Sequence, residues 1–382
     1  MSAAPHRRVA GALASFLLVL SPLVLAVGTT PSTAAKTTGD VAWTVAPGVE
    51  YREWQFRTAA GPQRIHVLDI DPNAPGVSLD YLAHRRLRSN TTTRKLLSHD
   101  AKGVGGVNGS FFDIEDTGAP LGLGRSSTRG LLHAATAGWN NAFYRAADGS
   151  YHIGPLTPLA QVTGHPELRV TGYNVPHARP NAVTIYTATW GAAAGRRVVD
   201  DPNAEVREVH VRQGIVRQNS RHLMPERPFH GFLLLGVGAA APLLKSLTVG
   251  SPVSAHWSLD QPTKMAITGS QILVQDGQVI ASNDRMSAPR TAVGIDPSTG
   301  HILLAALDGR QAGAAGMSTL AWANELAGLG LGTALNLDGG GSTTMVARDA
   351  LGLSNDVVNT PSLGYQRHLP DVLAVDYAPP AG

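Results

Sequence analysis

Apolar and polar residues alternate in short runs along most of the chain, a pattern typical of β-strands. The alternation is clear in Tyr51–Phe56 and in Arg64–Ile70, which are separated by the turn-forming segment Ala59–Pro62. Two alternating runs joined by such a segment predict a β-hairpin. Further hairpin turns are predicted at Asp148–Gly149, Gln275–Gln278 and Ile295–Ile302.

Two segments have a helical pattern instead. Thr92–His99 is predicted as a short helix with Thr91 or Thr92 as its cap. The longest predicted helix is Ser318–Ala327, capped by Ser318 or Thr319. Its buried face is predicted to carry Leu320, Ala323, Leu326 and Ala327.

Between about residues 155 and 260 the pattern is strand-like but carries no recognisable chemistry. Val170–Trp190, Val206–Gln218, Gly231–Val237 and Leu247–Leu259 are predicted as strands. The 42 glycines, 25 prolines and low aromatic content of 5% agree with many short strands and turns. We therefore expect an α+β fold with a mixed, largely antiparallel β-sheet core and few flanking helices.

The N-terminus has the pattern of an export signal. His6, Arg7 and Arg8 precede an apolar run from Val9 to about Val27, and small residues up to Ala35 offer a cleavage site. We expect residues 1–35 to be a signal peptide, followed by N-terminal strands at 36–96. A retained membrane anchor is the alternative, because the apolar run is long for a signal. If the signal is cleaved, no membrane span is expected and the protein is secreted, extracellular or cell-wall associated.

Composition narrows the function further. The chain has no cysteine, which excludes disulfides and Cys-ligated metal centres. Lys and Arg number 31 against 28 Asp and Glu, and they form no clustered run, so no nucleic-acid partner is expected. The histidines lack the short spacings of a metal-binding helix.

The most informative segment runs from Ala334 to Val346. An apolar run ends in Asn336 and Asp338, and Gly339, Gly340 and Gly341 follow before Ser342, Thr343 and Thr344. Three consecutive glycines suit a sharp turn or a close approach of the backbone to a ligand. Alone, the segment is equally consistent with a tight turn in which Asp338 caps local amides.

Three other polar clusters also lie at strand ends. Val107 is followed by Asn108, Phe111, Phe112 and Asp113, which would form a pocket wall or, alternatively, a turn and core. Arg290 stands at the start of one predicted strand, and Asp308 and Arg310 follow another. If these strand ends meet, the four clusters form one concave polar site.

These motifs resemble a known family, the phosphodiester glycosidases. The family includes N-acetylglucosamine-1-phosphodiester α-N-acetylglucosaminidase, or uncovering enzyme, and many exported bacterial proteins. The resemblance covers about 97–377, is weak at 155–260, and is carried by five motifs in the family's order. They are Val107–Asp113, Pro289–Gly294, Leu307–Arg310, Leu335–Met345, and Val358–Ser362 with Arg367. One departure is Trp322, which stands where the family's helix often carries an acidic residue; Glu325 follows one turn later.

The resemblance implies hydrolysis of a sugar from the phosphate at its anomeric carbon. Arginine suits the phosphate because it binds anions bidentately and keeps its charge, so Arg290, Arg310 and Arg367 are candidates, with the amides of Gly339–Gly341. Asp338 is the first candidate for nucleophile or base and Asp308 the second. Asn108 and Asn336 are expected to bind sugar hydroxyls or an acetamido group, and Ser342 and Thr343 to bind phosphate or cap the turn.

Several alternatives stay open. The substrate is expected to be a phosphate-linked glycan or a sugar-1-phosphodiester, but a phosphodiesterase that cuts the P–O bond, or a non-catalytic module that binds anionic glycans, fits the same residues. Gly340–Thr344 lacks the pattern of a serine-hydrolase elbow. No cofactor is required, although clustered Asp and Asn oxygens would suit calcium or magnesium.

Overall fold

The computed structural model describes residues 40–135 and 138–380, which form part of one compact unit. The predicted signal peptide at 1–35 lies outside the described residues. The first twelve strands are β1 (Val41–Ala46), β2 (Val49–Thr58), β3 (Gly61–Ile70), β4 (Val77–Ala83), β5 (Gly103–Asn108), β6 (Gly124–Ser126), β7 (Gly130–Ala135), β8 (Asn141–Ala146), β9 (Tyr151–Pro155), β10 (Pro158–Val162), β11 (Val170–Tyr173) and β12 (Val183–Thr187). The others are β13 (Val206–Arg212), β14 (Ile215–Ser220), β15 (Phe232–Val237), β16 (Ala255–Leu259), β17 (Thr263–Thr268), β18 (Ile272–Gln275), β19 (Gln278–Val279), β20 (Arg290–Ile295), β21 (Ile302–Leu307), β22 (Thr333–Asn336), β23 (Met345–Arg348), β24 (Asn355–Val357) and β25 (Asp371–Tyr377).

Helices are short. They are α1 (Thr93–Leu97), α2 (Ala240–Leu243) and α3 (Thr319–Gly328), with 3₁₀ turns at Ala188–Trp190, Gly195–Val198, Leu244–Ser246 and Gly340–Ser342. Both predicted caps are confirmed: the Thr92 side chain accepts from the Lys95 amide, and that of Ser318 accepts from the Ala321 amide. Within 40–135 and 138–380, no helix is long and apolar enough to cross a membrane.

The face of α3 differs from the prediction. Trp322 is fully buried with Ala323 and Leu326, whereas Leu320 is only partly buried. Trp322 packs in the apolar cluster that covers one face of β3, β20 and β21. The position where the family often has an acidic residue is therefore a core position in this chain.

Four sheets are present among the described residues. An eight-stranded sheet has the order β1-β2-β3-β21-β20-β22-β18-β19, and a five-stranded sheet has the order β24-β23-β5-β25-β4. A ten-stranded sheet has the order β14-β13-β15-β12-β11-β7-β6-β17-β8-β9, and β10 pairs with β16. Among the described strand pairs, β11 with β12 is the parallel one and the rest are antiparallel.

The fold is thus β-rich and largely antiparallel with few helices, which confirms that part of the expectation. The α+β class itself stays a prediction. The hairpin of β2 and β3 is confirmed, with ten paired positions from Val49 opposite Ile70 to Thr58 opposite Gly61. Val170–Trp190 is not one strand: β11 ends before Asn174, whose φ of 51° lies in the left-handed region, and β12 starts at Val183.

The eight-stranded sheet is buried on both faces because its strands are apolar at successive positions. Leu68, Leu304 and Leu335 face the largest core cluster. Val67, Leu303 and Ala334 face the cluster that contains α3. Since neighbouring residues of a strand point to opposite faces, a sheet buried twice needs apolar residues in sequence rather than in alternation. This double burial holds the strand ends that carry the candidate site.

Candidate active site

The antiparallel order of the eight-stranded sheet brings three of the predicted clusters together. β20 lies between β21 and β22, and both neighbours run antiparallel to it. The start of β20 therefore lies beside the ends of β21 and β22. Arg290, Asp308 and Asp338 consequently lie at the same end of these three neighbouring strands.

The five-stranded sheet contributes a second group of strand ends. β5 lies between β23 and β25 and runs antiparallel to both, so the end of β5 lies beside the starts of its neighbours. Asn108 links the two groups of strand ends: its Nδ2 donates to the Asp338 carbonyl at 2.6 Å, and its Oδ1 accepts from Thr291 Oγ1 at 2.8 Å. The amide of Asp338 donates to the Gly109 carbonyl at 3.1 Å.

Asp338 is the partly exposed carboxylate of this junction. Burial raises the pKa of its carboxyl to about 6, and a nearby negative charge on Asp371 adds to the effect. Hydrogen bonds from Ser342 and the Gly339 amide, and the positive charge of Arg367, act in the opposite direction. A carboxyl group with a pKa near neutrality can gain and lose a proton at working pH, which is what a catalytic acid or base requires.

Each glycine of the turn lies against an arginine. A Cβ on Gly341 would come within 2.5 Å of Arg367 Nη2, and one on Gly340 within 3.4 Å of Arg310 Nη1. A Cβ on Gly339 would lie 2.9 Å from the Pro289 carbonyl and 3.9 Å from Arg290 Cδ. Gly340 also has a φ of 60°, which favours glycine. Gly340 and Gly341 thus allow the guanidinium groups of Arg310 and Arg367 to approach the residues that follow Asp338, whereas Gly339 lies against the backbone and Cδ of Arg290.

The three arginines differ in how they are held. Arg290 is buried: its Nε donates to the Met317 carbonyl at 2.9 Å, and its Nη2 donates to Asp284 and to the Met286 carbonyl, both at 2.6 Å. Arg367 Nη1 donates to Ser342 Oγ at 3.2 Å. Arg310 is exposed, and no hydrogen bond or ion pair of its guanidinium is found within 40–135 and 138–380. Arg310 and Arg367 are therefore better placed than Arg290 to meet a phosphate.

Asp308 is buried at 1% exposure and is engaged on both oxygens. Its Oδ1 accepts from Asn359 Nδ2 at 3.2 Å and from the Thr360 amide at 3.0 Å, and its Oδ2 lies 3.2 Å from His66 Nε2. The other ring nitrogen of His66 lies 2.7 Å from Tyr51 Oη. Asp308 thus fixes the loop after β24 and leaves Asp338 as the more accessible carboxylate.

The two asparagines differ in the same way. Both acceptor bonds of Asn108 Oδ1 are made to the protein, since it also accepts from the Thr344 amide at 3.1 Å. Asn336 Nδ2 donates to Ser270 Oγ at 2.8 Å, but its buried Oδ1 has no hydrogen-bond partner among the described residues. An unpaired buried acceptor is costly unless a ligand or water meets it, so Asn336 is the better candidate for binding a substrate group.

The hydroxyl residues after the glycines are buried within the turn. Ser342 and Thr343 are at most 1% exposed, and their amides donate to the carbonyls of Gly339 and Gly340 at 3.1 and 3.3 Å. The Gly340 amide donates to the Pro289 carbonyl at 2.8 Å. These bonds fix the turn. They also engage the Gly340 amide, which was predicted from the sequence to be available for a phosphate.

Phe112 and Asp113 belong to a loop beside the site. Phe112 is partly buried and packs on the apolar cluster of α1 and β25. Asp113 caps its own loop: one carboxyl oxygen accepts from the amide and the hydroxyl of Thr117 at 2.9 and 2.7 Å. Although partial burial opposes the effect, these bonds lower the pKa of the Asp113 carboxyl. Its role as a substrate contact stays a prediction.

A second buried carboxyl group was missed by the sequence argument. Asp371, the first residue of β25, accepts from the Ser110 amide and from Ser110 Oγ, both at 2.6 Å, and from Tyr81 Oη at 3.0 Å. Its Oδ1 lies where a Cβ on Gly109 would be, at 2.0 Å. The available signal was an aspartate at the start of an apolar strand, the same position that Arg290 has in β20.

No metal site accompanies these groups in the part of the chain that the structure describes. Within it, no cluster of three or more His, Asp or Glu side chains is arranged to hold a metal ion. The polar groups of the junction are instead bonded to one another and to arginines, as Asn108, Asp308 and Arg290 illustrate.

A family model described as phosphodiester glycosidase matches residues 186–376. The matched region contains Arg290, Asp308 and Asp338, and it includes much of the segment that the sequence argument found weakly matched. It begins after Val107–Asp113, which the fold brings to Asp338. No curated protein sequence matches the chain.

Solved structures share the fold. A hypothetical protein from Synechocystis superposes with a TM-score of 0.73 at 19% identity, covering 90% of this chain and 64% of its own length. A Burkholderia pseudomallei protein described as a candidate for export superposes with a TM-score of 0.71 at 20% identity, covering 90% and 97% of the two chains. The catalytic domain of zebrafish N-acetylglucosamine-1-phosphodiester α-N-acetylglucosaminidase matches with a TM-score of 0.45 at 16% identity, covering 89% and 88%. At these identities the first two likenesses show the fold alone.

Proposed function

The chain belongs to the phosphodiester glycosidase family, and from this we propose that it hydrolyses the bond between a sugar and the phosphate at its anomeric carbon. The proposed substrate is an N-acetylglucosamine-like sugar-1-phosphodiester, free or within a cell-wall or exopolysaccharide polymer. The sequence pattern of residues 1–35 supports an exported enzyme that meets such polymers outside the cell.

The observation that carries the proposal is the arrangement around Asp338. A partly exposed carboxyl group with a pKa near 6 lies on a turn that Arg310 and Arg367 approach through glycines. In the transition state for hydrolysis of a sugar-1-phosphodiester, positive charge develops at the anomeric carbon, and the phosphate is negatively charged. A carboxylate beside two guanidinium groups is complementary to both.

The chemistry follows from these charges. The phosphomonoester that departs is a good leaving group, so neutralising its charge contributes more than protonating it. Arg310 and Arg367 would bind the phosphate oxygens, and Arg290 would hold Asp284 and the Met286 carbonyl in place beside the turn. Asp338, ionised above about pH 6, would attack the anomeric carbon or activate water. Asn336 Oδ1 is free to accept from a sugar hydroxyl or an acetamido N–H.

The direct test is product identification. The purified protein is incubated with an N-acetylglucosamine-1-phosphodiester and with a teichoic-type polymer, beside the Asp338→Asn variant. Free sugar released by the native protein but not by the variant supports the proposal. Sugar 1-phosphate would instead indicate a phosphodiesterase that cuts the P–O bond. Binding without turnover in both proteins would indicate a glycan-binding module.

A further inference from the structure

A chain of buried hydrogen bonds ends at Asp371, whose carbonyl accepts from the amide of Gly109, the residue that in turn accepts from the Asp338 amide. It starts at the Gly122 carbonyl, which lies 2.9 Å from His133 Nδ1, and continues from His133 Nε2 to Tyr81 Oη at 2.7 Å. Tyr81 Oη lies 3.0 Å from Asp371 Oδ2, which also accepts from Ser110 Oγ at 2.6 Å. Tyr81, His133 and Asp371 are fully buried, and Ser110 is 3% exposed.

These hydrogen bonds together need one more proton than the side chains carry in their usual ionisation states. Three links, from Gly122 to His133, from His133 to Tyr81, and from Tyr81 to Asp371, each need one hydrogen. Neutral histidine and tyrosine provide two, and an ionised aspartate provides none. The third proton resides on the Asp371 carboxyl or makes His133 an imidazolium, and either way the three side chains together carry no net charge.

Burial favours the arrangement in which the Asp371 carboxyl holds the third proton. Burial lowers the pKa of His133 to about 4, which opposes an imidazolium, and raises that of Asp371 to about 6 against the hydrogen bonds from Ser110 and Tyr81. The phenol of Tyr81 faces the charge of Arg129, but burial still raises its pKa well above 10.0. With the proton on Asp371, the Asp371 hydroxyl donates to Tyr81 Oη instead of accepting from it, Tyr81 donates to His133, and every link is satisfied.

The chain is coupled to the candidate catalytic carboxyl. Gly109 contacts Asp371 on one side and accepts from the Asp338 amide on the other. A negative charge on Asp371 raises the pKa of Asp338, while the charge of Arg367 lowers it. Neutralising Asp371 therefore makes Asp338 easier to ionise.

We propose that Asp371, Tyr81 and His133 form a proton-holding chain that keeps the position behind Asp338 uncharged, so that Asp338 can become a carboxylate. Asp371 is a positioning residue in this scheme, since it is buried and acts through Asp338. The inference rests on the proposed function only for its catalytic consequence. The ionisation of Asp338 can be measured without substrate.

Asp371→Asn tests the proposal because an amide reproduces the neutral side chain. Its oxygen can accept from the Ser110 amide, and its NH₂ can donate to Ser110 Oγ and Tyr81 Oη, which leaves Tyr81 free to donate to His133. The matched control is Asp376→Asn at the other end of β25, where burial and the charges of Asp100 and Asp80 raise the pKa of the carboxyl to about 7.

The readout is the titration of the Asp338 carboxyl carbon by NMR, assigned with Asp338→Asn. We expect the Asp371 carboxyl carbon to titrate only above that of Asp338. Because Asn reproduces a neutral Asp371, Asp371→Asn should leave the Asp338 titration in place, as Asp376→Asn should. Ser110→Ala, which removes one donor to the ionised form of Asp371 and so favours the neutral form, should also leave it in place, and it serves as the second variant if Asp371→Asn does not fold. A shift of the Asp338 titration to lower pH in a folded variant, or an Asp371 carboxyl that ionises before Asp338, would show that Asp371 is charged in the native protein and would overturn the proposal. If turnover is found, the acid limb of kcat/KM should follow the Asp338 titration. If none is found but Asp371 titrates above Asp338, the hydrogen-bond chain stands and the proposed function fails.

Discussion

At the scale of single residues, the site separates groups that meet solvent from groups that hold the framework. Asp338 and Arg310 are open to a ligand, whereas Asp308, Asn108 and Arg290 have their polar atoms engaged by the protein. Residue type and position at a strand end do not distinguish the two groups. The hydrogen-bond partners do.

We expect Asp338→Asn to lower kcat by about 10²- to 10⁴-fold with little change in fold, because the variant keeps the shape of the side chain and loses its charge. In the native protein, kcat/KM should rise as pH increases through about 6, since the nucleophile or base must be ionised. Steady-state kinetics between pH 4 and 8 measure both. A profile that is flat across this range would contradict the role of Asp338.

Arg310→Ala and Arg290→Ala should fail in different ways. Loss of Arg310 should raise KM for a phosphodiester by about 10- to 100-fold, equivalent to about 1.5–3 kcal/mol for a charged hydrogen bond, and leave the midpoint of thermal unfolding unchanged. Loss of Arg290 should lower that midpoint, because Asp284 and the carbonyls of Met286 and Met317 lose their donor. Kinetics with calorimetry on both variants make the comparison, and equal destabilisation by the two would be inconsistent with the structure.

At the scale of elements, antiparallel pairing creates the site. The end of β5 and the start of β20 each lie beside the opposite ends of two neighbours, so six strand termini converge. The turn of Gly339–Gly341 then brings the chain between the arginines. Because close contact requires glycine at position 341, substitution there should act through the guanidinium group of Arg367.

Gly341→Ala should displace Arg367, since the new Cβ would lie within 2.5 Å of Nη2 and 2.9 Å of Cζ. We expect kcat/KM to fall by at least tenfold. Gly328→Ala, at the end of α3, is the control because a Cβ there meets nothing within 4 Å. The folding of both variants is checked by circular dichroism. Full activity in Gly341→Ala would show that the position of Arg367 is unimportant.

Sequence reasoning located these strand ends because each motif ends or starts an apolar run with a polar residue. Asn108, Arg290, Asp308 and Asp338 could be found in that way. It missed Asp371, Tyr81 and His133, since Tyr81 lies 290 residues from Asp371 and 52 from His133, and no local pattern links them. The buried face of α3 was predicted in part: Ala323 and Leu326 are buried, but the fully buried Trp322 takes the place expected for Leu320.

At the scale of the whole molecule, the junction of the two sheets removes the carboxyl groups of Asp338 and Asp371 from full contact with solvent. Burial raises the pKa values of both Asp338 and Asp371 to about 6. An acid with a raised pKa in the folded state is harder to ionise there than in the unfolded chain. Stability associated with such a group is therefore lost as pH rises from the unfolded pKa through the folded one.

Asp371→Asn should reveal this cost because the amide does not titrate. Between about pH 3 and pH 7 the native protein should lose on the order of 3 kcal/mol of unfolding free energy relative to the variant, from a pKa of about 6 in the folded state against the ordinary 3.8. Denaturant unfolding of both proteins at the two pH values measures the difference. A native protein that gained stability relative to the variant across this range would contradict the assignment.

The central claim is that the bond between the sugar and the phosphate oxygen is the one that breaks. Hydrolysis of an N-acetylglucosamine-1-phosphodiester in ¹⁸O-labelled water, followed by mass spectrometry of both products before the free sugar exchanges its anomeric oxygen, tests this directly. Attack at the anomeric carbon beside Asp338 predicts ¹⁸O in the free sugar and an unlabelled phosphate product. Label in the phosphate product would contradict the account, whether that product is a phosphomonoester beside unlabelled free sugar or a labelled sugar 1-phosphate.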